Sequence, residues 1–117
     1  MNKIIAITPG EPSGIGPDIT LKCLSKKINS RIFVIYDIEH LRYRAKKLNL
    51  NFKFKEINIY EDIKKCDGKV IYCQNVNLVS PVKIGIPCKN NSSFVIKCLK
   101  TAIKACLDNK VSAMVTG

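Results

Sequence analysis

Apolar and polar residues change their spacing several times along this chain, and each change marks an element. Residues 3–7 hold Ile4, Ile5 and Ile7 with no polar face, which predicts a fully buried strand. A glycine-bearing stretch follows and leads into a helix over about 17–27, with Ile19, Leu21, Cys23 and Leu24 on its buried side. Arg31 to Tyr36 reads as a second buried strand of the parallel-sheet kind. Asp37 suits a helix N-cap, and Ile38, Leu41, Ala45 and Leu48 follow it at helical spacing. Phe52, Phe54 and Glu56 then alternate with Lys53 and Lys55 as a half-exposed strand. Gly68 punctuates before another short strand, Lys69 to Cys73. No period holds from Gln74 to Lys89, where Pro81, Gly85 and Pro87 mark an extended connection. The clearest helix comes next. Ser92 or Asn91 caps it, and Val95, Cys98, Leu99, Ala102, Ile103 and Cys106 form one apolar stripe. Val111 to Val115 is a last buried strand.

Strands alternating with helices predict a layered α/β/α domain with a largely parallel sheet, because parallel neighbours need crossovers of this length. With 117 residues there is room for one modest domain, residues 1–117, and no internal repeat divides it. Thr116 and Gly117 begin a loop after the strand near residue 115, so the α/β domain reads as incomplete, truncated there with a free sheet edge.

The net charge of +11 raises nucleic acid as a partner, but Lys, Ile and Asn together supply 44 residues, the bias of an A- and T-rich coding sequence. The lysines are scattered. Arg42, Arg44, Lys46 and Lys47 are the densest basic patch, and no row of aromatics interleaves with it, so a solvated helix face is the simpler reading. Six cysteines contain no C-x-x-C pair and the only histidine, His40, falls on a predicted surface helix as a solvated residue, which leaves no metal site to predict. The apolar run after Lys3 is too short for a signal peptide and nothing approaches a membrane span, so reduced thiols in a cytoplasmic protein are expected, most of them as small core residues.

The chemistry concentrates in Thr8-Pro9-Gly10-Glu11-Pro12-Ser13-Gly14-Ile15-Gly16-Pro17-Asp18, at a strand-to-helix junction. Glycines there allow positive φ and close approach to a ligand, Pro17 is placed to open the helix, and the free N–H groups of a helix start attract anions. The expected cofactor-binding set is Gly10, Gly14 and Gly16 for backbone approach, with Thr8, Glu11 and Ser13 as hydrogen-bonding partners. A turn needed only to join strand to helix is the competing reading. A Walker loop is excluded because no Gly-Lys-Ser/Thr follows. The dinucleotide fingerprint half fits at Gly14 and Gly16, with Asp37 as the ribose acid about 20 residues on, but Ile19 replaces the third glycine and Asp37 is more simply an N-cap.

The same eleven residues resemble the opening signature of the 4-hydroxythreonine-4-phosphate dehydrogenases, pyridoxal-phosphate biosynthetic enzymes with an isocitrate and isopropylmalate dehydrogenase-like fold; Asp18 stands where that family often has Glu. The connection Ser80-Pro81-Val82-Lys83-Ile84-Gly85, the long helix and a strand ending Val115-Thr116-Gly117 continue the resemblance, with Ser92 where a glycine is expected. The resemblance implies the N-terminal part of a two-domain, homodimeric subunit that uses NAD and a divalent metal on a small phosphorylated substrate. It also implies that the metal-binding histidines and the substrate-binding His or Lys lie beyond Gly117, so no catalytic or metal residue carries over and these 117 residues alone are expected to be inactive. The alternatives are a free-standing phosphate- or nucleotide-binding module and, third, a basic nucleic-acid binder.

Overall fold

A computed structural model describes residues 3–117. Its sheet has the order β3-β5-β2-β1-β6, formed by Ile4–Thr8 (β1), Lys27–Tyr36 (β2), Lys53–Glu56 (β3), Val70–Asn75 (β5) and Ala113–Thr116 (β6), while Lys65–Asp67 (β4) pairs with β2 off this path. All pairings are parallel except that of β4 with β2. The helices are Gly16–Leu24 (α1), Ile38–Lys47 (α2) and Ser92–Leu107 (α3). The steps from β1 to β2 and from β2 to β3 run one way across the sheet, and the step from β5 to β6 runs the other. Right-handed crossovers therefore put α1 and α2 together on one face and α3 on the opposite face. Contacts of α1 with α2, and of α3 with β1, β2 and β6, agree with this. The layered α/β fold read from the sequence is the fold observed.

The core is densest along β2, where Phe33, Val34, Ile35 and Tyr36 are fully buried between neighbours on both sides. The Tyr36 ring meets Phe94 of α3 edge-on at 5.0 Å. Asp37 caps α2 as predicted, its Oδ1 accepting from the His40 N–H at 3.0 Å. Its Oδ2 also accepts from the Leu78 N–H at 2.8 Å, which ties the irregular connection to the same carboxylate.

Several expectations change. α1 stops at Leu24, because β2 begins at Lys27 rather than Arg31. The extra residues pair antiparallel with β4, which the sequence did not announce, across an irregularity between Ile28 and Arg31. α1 buries Pro17, Thr20, Leu21 and Leu24, whereas Ile19 is 51% exposed and Cys23 is exposed. In α3 the buried line is Phe94, Cys98, Ala102 and Ala105, which keeps Cys98 and Ala102 of the predicted stripe; Val95, Leu99 and Cys106 are half-buried and Ile103 faces out. Asn91 precedes α3 without capping it; its amide exchanges hydrogen bonds with the Ser80 backbone at 3.0 and 3.2 Å. β6 is not a buried strand. It lies at the end of the sheet, with β1 as its one partner among the described residues, and Ala113, Val115 and Thr116 are exposed. The expectation of mostly core cysteines holds for Cys66, Cys73 and Cys98, while Cys88 and Cys106 are half-buried. Among the described residues no helix is long and apolar enough to cross a membrane.

Candidate functional site

The glycine-bearing loop leaves the carboxyl end of β1 beside the carboxyl end of β6, where Thr8 and Thr116 are register partners. Crevices outside the carboxyl ends of parallel strands are where open α/β sheets place ligands.

The loop is held by its carbonyls. Thr8 O accepts from the Gly117 N–H at 2.8 Å, Gly10 O from the Tyr36 hydroxyl at 2.9 Å, and Ser13 O from the Gly85 N–H at 2.8 Å. Arg44 supplies the rest: Nη1 donates to Pro12 O, Nη2 to Gly14 O and Nε to Asp18 Oδ1, each at 2.8 Å. His40 Nε2 lies 3.0 Å from the same Pro12 carbonyl, which can only accept, so that nitrogen carries a proton. His40 and Arg44 are one helical turn apart on α2 and share the face turned to the loop.

Both residues therefore depart from expectation. His40 is 8% and Arg44 3% exposed, and neither belongs to a solvated face. The loop covers them because its carbonyls need donors, and α2 is the element that can offer them. Burial pushes the His40 imidazole below its ordinary value of 6.5, with the Arg44 charge adding to the effect and the Pro12 carbonyl opposing it. A histidine that is harder to protonate folded than unfolded contributes its full stability above about pH 6.5 and loses it as the pH falls toward the depressed value. Urea unfolding between about pH 6.5 and pH 5 should thus show stability falling with acid, and His40→Gln, which keeps an N–H for Pro12 O, should flatten that slope. An unchanged slope would assign the acid sensitivity to other groups.

The six predicted residues separate. Gly10 has φ +91°, and a Cβ there would lie 2.6 Å from the Gly117 carbonyl oxygen. Gly16 has no positive φ, yet a Cβ would lie 1.9 Å from the Pro9 carbonyl oxygen, so close packing rather than conformational freedom demands glycine. Gly14 has neither restriction; its Cβ would make ordinary contact, 3.4 Å from Glu11 O. Ser13 donates both its N–H and its hydroxyl to Glu11 Oε2, which orients the carboxylate. The other oxygen, Glu11 Oε1, and the Thr8 hydroxyl are buried with no partner.

Two concavities flank the loop. On the α3 side a cavity of about 170 Å³, lined by Thr8, Gly10, Cys98, Thr116 and Gly117, adjoins a groove of about 520 Å³ lined by Glu11, Lys89, Asn91 and Ser92, with Val95 common to both. Thr8 and Glu11, which carry the two orphaned oxygens, thus line this cleft with one lysine and the uncapped start of α3, and Glu11 also lines the groove on the α1 side. Burial pushes the Cys98 thiol up to about 12, so it stays neutral there. On the α1 side a groove of about 540 Å³ is lined mainly by apolar side chains, with Gly14 and Gly16 along it. Of the residues expected from the sequence, Thr8, Gly10 and Glu11 line the α3-side cleft, whereas Lys89, Arg44 and His40 were not among them. Among the described residues no group of three or more His, Cys, Asp and Glu could hold a metal ion.

A buried hydroxyl without a partner costs about 1–3 kcal/mol, so Thr8→Val should stabilise the free chain by about 1 kcal/mol in urea unfolding. Lower stability in the variant would show that the hydroxyl already has a partner in solution.

The sequence model of the pyridoxal phosphate biosynthetic protein PdxA family matches residues 28–117. The chain belongs to this family. The 4-hydroxythreonine-4-phosphate dehydrogenase of Pseudoalteromonas translucida (strain TAC 125) is 34% identical over 113 residues, covering 97% of this chain and 34% of the relative. The enzyme of the same name from Wigglesworthia glossinidia brevipalpis is 39% identical over 123 residues, covering 100% and 36%. The solved structure of 4-hydroxythreonine-4-phosphate dehydrogenase from Klebsiella pneumoniae superposes with a TM-score of 0.84 at 25% identity, over 99% of this chain and 37% of that one. The chain thus spans about a third of the length of the relatives it matches. The family model begins at Ile28, so the loop enters the likeness through the pairwise relatives.

Proposed function

We propose that these residues form the loop-bearing part of a 4-hydroxythreonine-4-phosphate dehydrogenase, which oxidises and decarboxylates 4-phosphooxy-L-threonine to 3-amino-2-oxopropyl phosphate in vitamin B6 biosynthesis. The observation that carries the reading is the likeness to enzymes of that name across 97–100% of this chain. The cleft on the α3 side fits one edge of a dinucleotide. Glu11 Oε1 accepts a hydrogen bond from a ribose hydroxyl or the carboxamide, and the Thr8 hydroxyl donates or accepts beside it. Lys89 and the uncapped first turn of α3 suit a phosphate, and Gly10 lets the backbone come close. Ser13 holds the carboxylate in place. NAD, when bound, accepts the hydride from the substrate's secondary alcohol.

The donor set does not fit the divalent metal. His40 is buried against Pro12 O, and no three ligating side chains converge among the described residues. In this reading the metal ligands and the substrate-phosphate ligands belong to the portion of the family outside these residues.

A chimera joining this chain to the remaining two thirds of the Pseudoalteromonas relative should therefore produce NADH from 4-phosphooxy-L-threonine and NAD, with a divalent metal present. The 117 residues alone should produce none. Within the chimera, Glu11→Gln should weaken NAD binding about tenfold, the loss of one hydrogen bond to a charged group. A folded but inactive chimera, or NADH made by the isolated chain, would overturn the proposal.

A further inference from the structure

The lysines are scattered along the chain but not over the fold. Lys27 and Lys53 open β2 and β3, and Lys3 and Lys69 come one residue before β1 and β5, so four strands consecutive in the sheet are each entered from a lysine at the same end. Backbone bonds hold them side by side: the Lys53 N–H donates to Lys69 O at 2.9 Å, and the Arg31 N–H to Lys3 O at 3.3 Å. At about 4.8 Å per strand the row is about 15 Å wide. The acids gather elsewhere. Glu11, Asp18, Asp37 and Glu56 follow or end strands, at the opposite end of the sheet.

A short two-stranded ribbon extends this basic end. Because Ile4 lies opposite Arg31, the first four residues of β2 run past the start of β1, and β4 pairs antiparallel along that extension. Ile28 and Cys66 are register partners on the face turned to the interior, half-buried and buried. Lys27 and Asp67 are partners on the outer face, with Lys65 two residues along it. Lys26, Lys27, Lys65 and Lys69 are all exposed. Asp67 is the only acid among residues 25–31 and 64–69, and its Oδ1 is taken up by the Lys69 N–H at 2.8 Å and the Val70 N–H at 3.1 Å.

Two ordinary causes do not produce this arrangement. An A- and T-rich coding sequence raises the number of lysines without sorting them between the ends of a sheet. Helix dipoles favour the lysines of the last helical turns, such as Lys22, Lys46 and Lys104, and not those at strand starts. The chemistry of the ribbon selects among polyanions. No large apolar side chain is exposed in residues 25–31 or 64–69, so a bilayer gains no inserted anchor there. Those segments hold no aromatic residue on which an unpaired base could stack. The wide major groove of DNA admits a two-stranded ribbon, whereas the deep, narrow major groove of an RNA duplex is closed to it.

We propose that this basic end of the sheet, the β2–β4 ribbon with Lys3, Lys53 and Lys69 beside it, binds double-stranded DNA through its phosphates without regard to sequence. The surface stands apart from the dehydrogenase reading, because the glycine loop lies at the other end of the strands.

Fluorescence anisotropy of the full 117-residue chain with two unrelated DNA duplexes of about 20 base pairs tests it. The expected result is the same affinity for both, falling about a hundredfold between 50 and 200 mM salt, as for about four phosphates contacted. Lys27→Glu, Lys65→Glu and Lys69→Glu combined should weaken binding by about thirtyfold or more. Lys83→Glu, Lys97→Glu and Lys100→Glu combined, exposed changes away from the ribbon that reach the same net charge, should weaken it by less than about threefold. Matching melting curves would show that both triples fold, and glutamines at the same two sets of positions repeat the comparison without added acids. Equal losses in the two triples would assign binding to net charge alone and overturn the proposal. So would tighter binding to single-stranded DNA, to an RNA duplex or to vesicles of anionic lipid, or no binding at 50 mM salt.

Discussion

Arg44→Ala is expected to remove about 3 kcal/mol of stability, a large share of the roughly 5–15 kcal/mol that holds a domain of this size. The residue is 3% exposed and its guanidinium spends three donors on Pro12 O, Gly14 O and Asp18 Oδ1. Truncation leaves two loop carbonyls and one carboxylate without them. Asp18 recovers part of its loss from water, since its side chain is 28% exposed, and this keeps the figure at the lower end of the 3–5 kcal/mol typical of a broken buried pair. Arg44→Lys should recover less than half of the loss, because one ammonium cannot span three acceptors that a planar fork reaches at once. Arg44→Met separates packing from hydrogen bonding, since it keeps most of the stem and none of the donors. Urea unfolding of the three variants checks the ordering. A loss below about 1 kcal/mol for Arg44→Ala would return Arg44 to the solvated helix face that its sequence neighbourhood suggests.

That contrast shows where reading the sequence succeeds and where it stops. β2 was legible in its second half because Ile32 to Tyr36 is apolar without a break, and its first half was not, because Lys27 to Ser30 owe their extended form to β4, thirty-odd residues on. The helices were found by period, but period does not say which side of an apolar face finds a neighbour. Ile19 and Ile103 carry the pattern and remain exposed, while Thr20 and Ala105 are buried. His40 and Arg44 had a signal. They stand at helical spacing beside Leu41 and Ala45, on the edge of the apolar stripe, and polar residues there are buried when an adjacent loop has carbonyls to satisfy. The loop itself was legible as a motif, and its partners were not, since Tyr36, Gly85 and Arg44 reach it across the fold.

A three-glycine series separates what holds the loop from what leaves room along it. Gly16→Ala places a Cβ 1.9 Å from the Pro9 carbonyl oxygen, a backbone atom that cannot swing aside as a side chain would. The loop must then open, at a cost of about 2–3 kcal/mol or more. Gly10→Ala meets two penalties. Its φ of +91° is unfavourable for an L residue by about 1–2 kcal/mol, and its Cβ would sit 2.6 Å from the Gly117 carbonyl oxygen. It should also disturb the cleft that Thr8 and Glu11 share, because Gly10 O is anchored to the Tyr36 hydroxyl. Gly14→Ala has neither an unfavourable φ nor a clash, and should change stability by no more than about 0.5 kcal/mol. Melting the three variants side by side tests the order, with Gly16 and Gly10 far below Gly14. Because Gly14 lines the apolar groove and not the α3-side cleft, its alanine should also leave NAD affinity of the chimera unchanged while Glu11→Gln lowers it. A chimera in which Gly14→Ala weakens NAD binding as much as Glu11→Gln would move the cofactor to the α1 side of the loop, where both residues line the groove.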